Sequence, residues 1–357
     1  MDYIKIKGYK SIKDLALELK PINVLIGANG AGKSNFISFF NFLKKACDRL
    51  LQETVAKTGG VDRYLHHGRK KTDTIECEMS FSSDDSNNSY GFSLETTTDG
   101  RFLVGEERSG YMGQVNSYRI NDDELTIKID NAFRSRWIRD YLNGLRVYHF
   151  HETGANSPFN SDCKIDDYFV LQSHGANLSA FLYNLQRNEP VVYKRIVKVI
   201  QSVAPYFLDF DLHPNAQGSE YIRLGWRDKY SENRYGATDL SDGTIRFIAL
   251  VALFLQPNPP KVIIIDEPEL GLHPFAINKL SGLVQSVSER GTQVILSTQS
   301  VELVNCFTPE DIIAVDHIGG ASSFNRLDSS QLSEWLSDYA IGDMWRQNLL
   351  SKGFPNK

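Results

Sequence analysis

The fold of this chain is best predicted from one stretch, Val24-Leu25-Ile26-Gly27-Ala28-Asn29-Gly30-Ala31-Gly32-Lys33-Ser34. An apolar, β-branched run ends at Gly27, a glycine-rich turn follows, and Lys33-Ser34 opens an apolar helix pattern. This is G-x-x-x-x-G-K-S between a predicted strand and a predicted helix, the setting in which the motif forms a phosphate-binding loop. Glycines let backbone N–H groups turn toward an anion, and the helix N-terminus adds a positive dipole end. The sequence therefore predicts a nucleoside triphosphate site.

The residue types in this loop have predicted roles. Lys33 supplies a compact positive charge for the β- and γ-phosphates, and the hydroxyl of Ser34 can ligate Mg²⁺. A glycine loop that matches by chance is the alternative, and the flanking strand and helix argue against it. The residues expected to contact the nucleotide here are Gly27, Asn29, Gly30, Ala31, Gly32, Lys33, Ser34 and Asn35.

The composition narrows the class of protein. The 357 residues are 41% hydrophobic, which allows a substantial core in one large domain or two lobes. A formal charge of −5 gives no global electrostatic case for nucleic acid. The four cysteines are scattered, which argues against a zinc site or a disulfide framework and fits a reducing cytoplasm. No apolar run approaches the roughly 20 residues that span a bilayer, and no signal-peptide pattern opens the chain, so we expect a cytoplasmic protein without membrane segments.

A pair of carboxylates follows a second apolar run. Val262-Ile263-Ile264-Ile265 is typical of a buried parallel strand, and Asp266-Glu267 comes directly after it. Hydrolysis of a γ-phosphate needs charge neutralisation and an oriented water. We expect Asp266 to ligate Mg²⁺ and Glu267 to polarise the attacking water. An Asp-Glu pair that merely ends a strand is the alternative, which the phosphate loop makes less plausible.

Strand and helix patterns alternate at both ends of the chain, which predicts an α/β P-loop NTPase with a mixed sheet flanked by helices. The predicted core is discontinuous, residues 1–55 and 236–357. Residues 56–145 are predicted to form an inserted, antiparallel β-rich side lobe, with short strands near 117–120 and 125–129. Residues 146–235 are predicted to be a helical, lobe-linking segment, helical over 166–203. Helical segments near 330–339 and 341–350 are expected to close the chain.

His149, His151 and Glu152 alternate along a predicted strand. Side chains two residues apart on a strand share a face, so a metal site is one interpretation. No further cluster of ligands lies near them in the sequence, and a polar lining beside the nucleotide is the preferred interpretation.

The order of four segments resembles that of ABC-type ATPases: 27–34, Leu240-Ser241-Asp242-Gly243-Thr244, 263–267 and Ser297-Thr298-Gln299. The form Asp266-Glu267-Pro268-Glu269-Leu270-Gly271-Leu272-His273-Pro274 resembles the RecF-like and SMC-like branch. With 148–152, 175–178 and 341–345 added, nearly the whole chain is similar to a bacterial family of stand-alone AAA/ABC ATPases. That family has an ABC-type, ATP-binding head without the long coiled coil, and several members act in phage defence beside a nuclease.

The resemblance implies ATP and Mg²⁺ as cofactors and a homodimer that sandwiches two ATP molecules. Ser241 and Gly243 would reach the γ-phosphate bound by the other subunit, and His273 would lie in the loop that contacts the partner's site. The signature lies at a predicted helix N-terminus, which is a donor-rich anion site. Lys33, Glu267 and Gln299 would be the catalytic residues.

Two positions depart from the common ABC pattern. Asp242 replaces a glycine, which places a carboxylate near phosphate. Gln299 stands at the switch position, where many relatives carry histidine; glutamine cannot become positively charged, so slow turnover is expected. The glutamine of the usual lobe-linking loop has no clear match: Gln172 is one candidate, and residues 149–152 are the other.

Three functions remain open at this stage. The first is an ATP-gated homodimer that switches a DNA-directed or nuclease partner, in phage defence or DNA maintenance, with DNA as a further partner. The second is the ATPase subunit of a membrane transporter, against which the β lobe and the 271–274 form argue. The third is an ATP sensor with negligible turnover, which Gln299 favours.

Overall fold

A computed structural model describes residues 1–83, 86–111, 114–130, 132–154, 156–214, 220–330, 332, 339–347 and 349–350. The chain divides into two compact units. Residues 1–145 and 308–357 form one, here the terminal unit, and residues 146–307 form the other, the central unit.

The terminal unit contains the phosphate loop and most of the strands. Its elements in chain order are β1 (Tyr3–Tyr9), β2 (Ile12–Glu18), β3 (Ile22–Ile26), α1 (Lys33–Cys47), α2 (Leu51–Thr58), β4 (Thr74–Ser83), β5 (Ser86–Thr96), β6 (Phe102–Tyr111), β7 (Gln114–Asp122) and α3 (Phe133–Asn143). The strand β8 (Leu145–Tyr148) begins at the boundary between the units. After the central unit, the chain returns with β16 (Ile312–Ile318), β17 (Ala321–Arg326) and α9 (Ile341–Arg346).

A six-stranded sheet runs in the order β2-β1-β4-β5-β6-β7. Each neighbouring pair in it is antiparallel, and β1 pairs with β2 on one side and with β4 on the other. The predicted β lobe therefore continues the N-terminal hairpin through backbone hydrogen bonds. Alternating side chains of β4 and β5 are buried, as expected for a sheet that covers a core on one face.

The predicted strand over 125–129 is wrong. These residues form turns, in which the amides of Ile129 and Asp130 donate to the Thr126 carbonyl. The physical reason is the buried carboxylate of Glu107, which accepts hydrogen bonds from the amides of Thr126 and Ile127 that a ladder would have used. The chain thus satisfies its backbone locally.

The strand β3 and the helix α1 hold the phosphate loop. Val24, Leu25 and Ile26 are completely buried, and β3 pairs in parallel with β16, which is antiparallel to β17. The phenylalanines of α1 are buried. Tyr9 packs edge-on against Phe39 with 5.0 Å between ring centroids. This aromatic packing fixes the helix that begins at the loop.

The central unit is built around a buried helix. Its elements are β9 (Cys163–Lys164), α4 (Leu178–Asn188), α5 (Pro190–Val203), β10 (Phe207–Phe210), β11 (Tyr221–Ile222), β12 (Gly225–Asp228), β13 (Arg234–Gly236), α6 (Asp242–Leu255), β14 (Val262–Asp266), α7 (Pro274–Glu289), β15 (Gln293–Ser297) and α8 (Val301–Val304). All residues of α6 from Ile245 to Leu255 are buried, and α5 and α7 pack against it. A helix that is apolar on all sides belongs in a core.

The sequence predicted the parallel strands correctly: β14 pairs in parallel with β15, Asp266 opposite Ser297. The helical prediction over 166–203 holds only from Leu178 onward, as α4 and α5. Before Leu178, the side chain of Asn177 binds the Asp167 and Val170 carbonyls, which turns the chain instead.

Most of the predicted helix over 330–339 lies outside the described residues. Within the described ranges, no helix combines the length and hydrophobicity needed to cross a bilayer.

Candidate nucleotide-binding site

The phosphate loop has the backbone that the motif requires. Gly27, Gly30 and Gly32 have φ values of 150°, 79° and 117°, a region that favours glycine. A Cβ on Gly27 would lie 2.1 Å from the Val315 carbonyl oxygen, and one on Gly32 would lie 2.0 Å from Ser322 Oγ. The loop is therefore closed on its protein side, while Asn29 and Gly30 are exposed.

Lys33 points its ammonium group back into the loop. Its Nζ donates to the Gly27 carbonyl at 2.6 Å and to the Ala28 carbonyl at 3.1 Å, and the residue is only 5% exposed. Ser34 is exposed in the first turn of α1. The loop thus presents a positive charge, a hydroxyl and the N-terminus of a helix at one place, which together suit a phosphate.

A chain of hydroxyl groups supports the loop from behind. Ser322 Oγ lies 2.6 Å from the Ala31 carbonyl oxygen and 2.7 Å from Ser11 Oγ, and Asn35 Nδ2 donates to Ser11 Oγ at 2.8 Å. The Ser322 hydroxyl is the donor toward both oxygens, so its single proton is shared between the Ala31 carbonyl and Ser11 Oγ. No local sequence pattern indicated this role for Ser11 or Ser322.

Asp266 and Glu267 follow β14 at the edge where β14 and β15 both end. Asp266 Oδ1 accepts a hydrogen bond from the Ser297 hydroxyl, and the Glu267 amide donates to the Ser297 carbonyl at 2.9 Å. Glu267 has a φ of 44°, which is uncommon for a residue with a side chain. The amide of the Gln299 side chain donates to Glu267 Oε1. Glu267 and Gln299 are therefore hydrogen-bonded directly, and Ser297 connects Asp266 to Glu267.

Glu269 is a buried acid that sequence analysis did not single out. Its Oε1 accepts hydrogen bonds from Thr298 Oγ1 at 2.5 Å and from the backbone N–H of Gln299 at 3.0 Å. Its Oε2 has no hydrogen-bond partner among the described residues. Burial raises the pKa of this carboxyl, more than its hydrogen bonds lower it. Glu269 thus fixes the backbone on which Gln299 sits.

Ser241 caps the helix that carries the signature. Its Oγ accepts from the Thr244 amide at 3.2 Å, and both Ser241 and Asp242 are exposed at the start of α6. A Cβ on Gly243 would lie 2.2 Å from the Gly271 carbonyl oxygen. The signature therefore packs directly against the loop that contains His273.

The buried Arg246 connects the helix of the signature to two other segments of the central unit. It is 4% exposed, and its guanidinium donates to the carbonyls of Phe150, His151 and Leu270, the first at 2.8 Å. One buried cation thus joins three separate segments of the central unit. A single arginine within the apolar run 245–255 was the sequence signal for it.

His273 caps the next helix. Its Nδ1 accepts from the Phe275 amide at 3.2 Å at the start of α7, and the side chain is exposed. Leu270 and Phe275 beside it are 46% and 48% exposed. Ser241, Gly243 and the Gly271–His273 loop therefore form one continuous outer surface, here called the signature surface.

The remaining sequence hypotheses have mixed outcomes. In the described part of the chain, no group of three or more His, Cys, Asp and Glu side chains could hold a metal ion, so the metal interpretation of His149, His151 and Glu152 gains no support. His151 Nε2 instead lies 2.8 Å from the Asp266 carbonyl oxygen. The Gln172 side chain donates to Asp167 at 2.6 Å, and its lobe-linking role stays a prediction.

Residues 22–305 match the protein family described as "AAA domain, putative AbiEii toxin, Type IV TA system". The chain belongs to this family.

The fold resembles the heads of SMC proteins. A crystal structure of the SmcHead bound to the C-winged helix domain of ScpA matches with a TM-score of 0.61, at 14% identity over 93% of this chain and 99% of that one. A second match is a crystal structure of the Smc head domain with an extended coiled coil, bound to the C-terminal domain of ScpA derived from Pyrococcus furiosus. Its TM-score is 0.58, at 14% identity over 94% of this chain and 98% of that one. The family confirms the predicted AAA-type ATPase, and the fold, which resembles SMC heads, confirms the predicted P-loop NTPase fold.

Curated relatives match over shorter stretches. The chain is 27% identical over 121 residues to the energy-coupling factor transporter ATP-binding protein EcfA2 of Latilactobacillus sakei subsp. sakei (strain 23K). The matched stretch covers 32% of this chain and 40% of that protein. It is 50% identical over 44 residues to the Old nuclease of Escherichia phage P2, 12% of this chain and 8% of that protein. The chain thus spans less than half the length of these relatives.

Proposed function

We propose that this ATPase is an ATP-gated homodimer that switches a separate nuclease or other DNA-directed effector protein. The observation that carries the proposal is the signature surface. Ser241 and His273 cap neighbouring helices, Gly243 packs on Gly271, and the buried Arg246 holds them in one arrangement. A rigid, exposed surface with helix N–H donors suits a phosphate that a second subunit brings to it.

In this proposal, the phosphate loop binds the triphosphate of its own subunit. Lys33 exchanges the carbonyls of Gly27 and Ala28 for the β- and γ-phosphates, and the loop N–H groups complete the cradle. Mg²⁺ is the proposed metal ion, and the exposed Ser34 hydroxyl in the terminal unit is one oxygen ligand that suits it. In the central unit, the Asp266 carboxylate, which Ser297 orients, is the other candidate ligand. Bound Mg²⁺ would offset the negative charge of the phosphates.

Glu267 is proposed to accept the proton of the attacking water. Its backbone is tied to Ser297, so the carboxylate is held at the end of β14. The side-chain amide of Gln299 donates to one carboxylate oxygen of Glu267 and so orients it. Because glutamine at this switch position cannot become positively charged, slow turnover is proposed, which suits a switch whose ATP-bound state must persist.

The proposed setting is anti-phage defence or DNA maintenance in the cytoplasm. Two findings support it: the description of the family names a toxin and a toxin–antitoxin system, and a segment of the chain matches a phage nuclease. The four cysteines are all free, as in a reducing compartment. DNA is proposed as the effector's target.

The experiment compares wild type with E267Q by light scattering coupled to size exclusion, with and without Mg-ATP. We expect E267Q to hydrolyse ATP at least about 100-fold more slowly than wild type and to accumulate as an ATP-dependent dimer. The double variant S241R/E267Q should bind ATP but stay monomeric. An E267Q protein that binds ATP and remains a monomer at every concentration would overturn the proposal.

A transporter ATPase is the second candidate, because the matches to energy-coupling factor ATP-binding proteins favour it. Those matches cover 40% of each relative. Co-purification of the full chain with a membrane permease expressed from a neighbouring gene would support this candidate. An ATP sensor is the third, favoured by the contact between Gln299 and Glu267; equal background ATPase rates for wild type and E267Q would support it.

A further inference from the structure

The α4–α5 hairpin, residues 178–203, concentrates positive charge on an acidic protein. It carries Arg187, Lys194, Arg195 and Lys198 against one carboxylate, Glu189, while the whole chain has a formal charge of −5. All four cations are exposed, and no carboxylate of the described residues lies within ion-pairing distance of any of them. Arg187 lies only over the Tyr183 ring, 4.5 Å from its centroid.

A groove of about 340 Å³ runs along this hairpin, here called the α5 groove. Its floor is apolar, from Pro190, Tyr193 and Val197, and Lys194 and Lys198 stand at its edge. These lysines are four residues apart on α5 and therefore share one face of the helix. The carboxylate in the groove, Asp209, already accepts hydrogen bonds from the Tyr193 hydroxyl at 2.6 Å and from the Phe210 amide at 2.8 Å.

Apolar surface extends beyond the floor of the groove. Val191 on α5 is 81% exposed, and Leu208 on β10 is 41% exposed. The side chain of Gln201, which also lines the groove, donates to the Leu208 carbonyl at 2.8 Å and thereby connects the two elements. The volume lies at the lower end of the roughly 300–1,000 Å³ of ligand pockets, room for one or two side chains.

We propose that the α5 groove docks an acidic, amphipathic helical segment of the effector protein; this rests on the proposed function only for the identity of the partner. An apolar anchor of that segment occupies the floor formed by Tyr193 and Val197. Its Asp or Glu side chains, one helical turn apart, pair with Lys194 and Lys198. Helix-in-groove docking of this kind uses anchors at helical spacing, with charges at the rim setting orientation and specificity.

The chemistry of the groove favours a protein over a nucleic acid. Nucleic acid binding relies on cations that follow a phosphate backbone and on exposed aromatic rings for unpaired bases. Here the aromatic ring, Tyr193, is 6% exposed, and the exposed apolar side chains are the aliphatic Val191 and Leu208. A mixed floor of apolar groups with two cations at one edge fits an acidic amphipathic helix better.

The experiment measures fluorescence anisotropy of a labelled, helix-forming peptide of Leu and Glu at amphipathic spacing, titrated with the full chain. The same peptide with Lys for Glu, and a random-sequence DNA duplex, are the other probes. We expect the Glu peptide to bind wild type and to lose at least about tenfold in affinity in K194E/K198E and in V197D. The matched control K70E/K71E reverses two exposed lysines of the terminal unit and should bind as wild type.

Charge reversal should also swap the preference: K194E/K198E should bind the Lys peptide better than the Glu peptide. Equal affinity of the Glu peptide for wild type and for K194E/K198E would overturn the proposal. It would also be overturned if K194E/K198E lost affinity for the DNA duplex but kept its affinity for the Glu peptide. The thermal unfolding midpoint of K194E/K198E serves as the fold control and should match that of wild type within about 2 °C. Because peptide binding is measured without nucleotide, its result stands apart from the E267Q dimerisation test.

Discussion

The Ser322 hydroxyl lies 2.7 Å from the Ser11 hydroxyl, although 311 positions separate the two residues in the sequence. Together they place a hydrogen-bond donor on the Ala31 carbonyl behind the phosphate loop. Ser322 is 5% exposed, so water does not readily replace it. The shape of the loop therefore depends on the turn between β1 and β2 and on β17 as well as on its own glycines.

Replacing Ser322 with alanine should weaken ATP binding. The substitution leaves the Ala31 carbonyl without its donor, at a cost of about 1–3 kcal/mol. If the nucleotide-bound loop needs that donor, the dissociation constant should rise roughly tenfold. Calorimetric titration with ATP measures it, and S323A, one residue along β17, is the matched control. Unchanged affinity in S322A would show that the loop holds its shape without the hydroxyl.

Gly243 tests the signature surface separately from nucleotide binding. Alanine there would place its Cβ 2.2 Å from the Gly271 carbonyl oxygen, a contact that only backbone movement can relieve. We expect G243A to bind ATP as wild type does, since the change is confined to the signature, but to lose ATP-dependent dimerisation in the E267Q background.

The control is Gly282 in α7, where a Cβ meets nothing within 4 Å. G282A should dimerise normally and gain about 0.5–1 kcal/mol of stability, because alanine is the better helix former. A G243A protein that dimerises as well as G282A would contradict the proposed role of the signature surface.

The sequence predicted local features better than the contacts between distant segments. The motif from Gly27 to Ser34 fixes a strand, a loop and a helix because each residue acts on its neighbours. Ser11 and Ser322 carry no such local signal, and their pairing arises only when β17 lies along the hairpin. The turns at 125–129 were missed for the same reason, since the buried Glu107 that captures their amides comes from β6.

Arg246 was detectable in principle, because one charge within an apolar helix requires partners. What the sequence could not give is their identity, three backbone carbonyls from two other segments. Glu269 likewise looks in the sequence like one of three acids close to the end of β14, and only its burial distinguishes it from the half-buried Asp266 and Glu267. Long-range geometry, more than residue type, determined which predictions failed.

Replacing Arg246 with methionine should destabilise the protein strongly. Methionine fills similar space but donates no hydrogen bond, so three carbonyls lose a charged donor. The free energy of unfolding should fall by about 3 kcal/mol or more as a result. The thermal unfolding midpoint should then shift downward by roughly 4 °C or more. R195M, which changes an exposed arginine of α5, should shift it by less than about 2 °C. Equal shifts in the two variants would mean that the buried guanidinium contributes little.

Glu269 predicts a specific dependence of stability on pH. Burial raises the pKa of its carboxyl above the ordinary value of 4.5, so the folded chain keeps a proton that the unfolded chain has released. The stability it confers is complete below the ordinary value and is lost as the pH rises through the raised folded value. Glutamine keeps an acceptor for Thr298 and for the Gln299 amide and is neutral at every pH.

E269Q and wild type should therefore unfold at similar urea concentrations near pH 4, and E269Q should unfold at the higher urea concentration at pH 8. Urea midpoints measured across this range give the difference directly. E289Q changes an exposed glutamate at the end of α7 and should show no such divergence. If E269Q and wild type differ by a constant amount at all pH values, the Glu269 carboxyl does not titrate differently in the folded and unfolded chains.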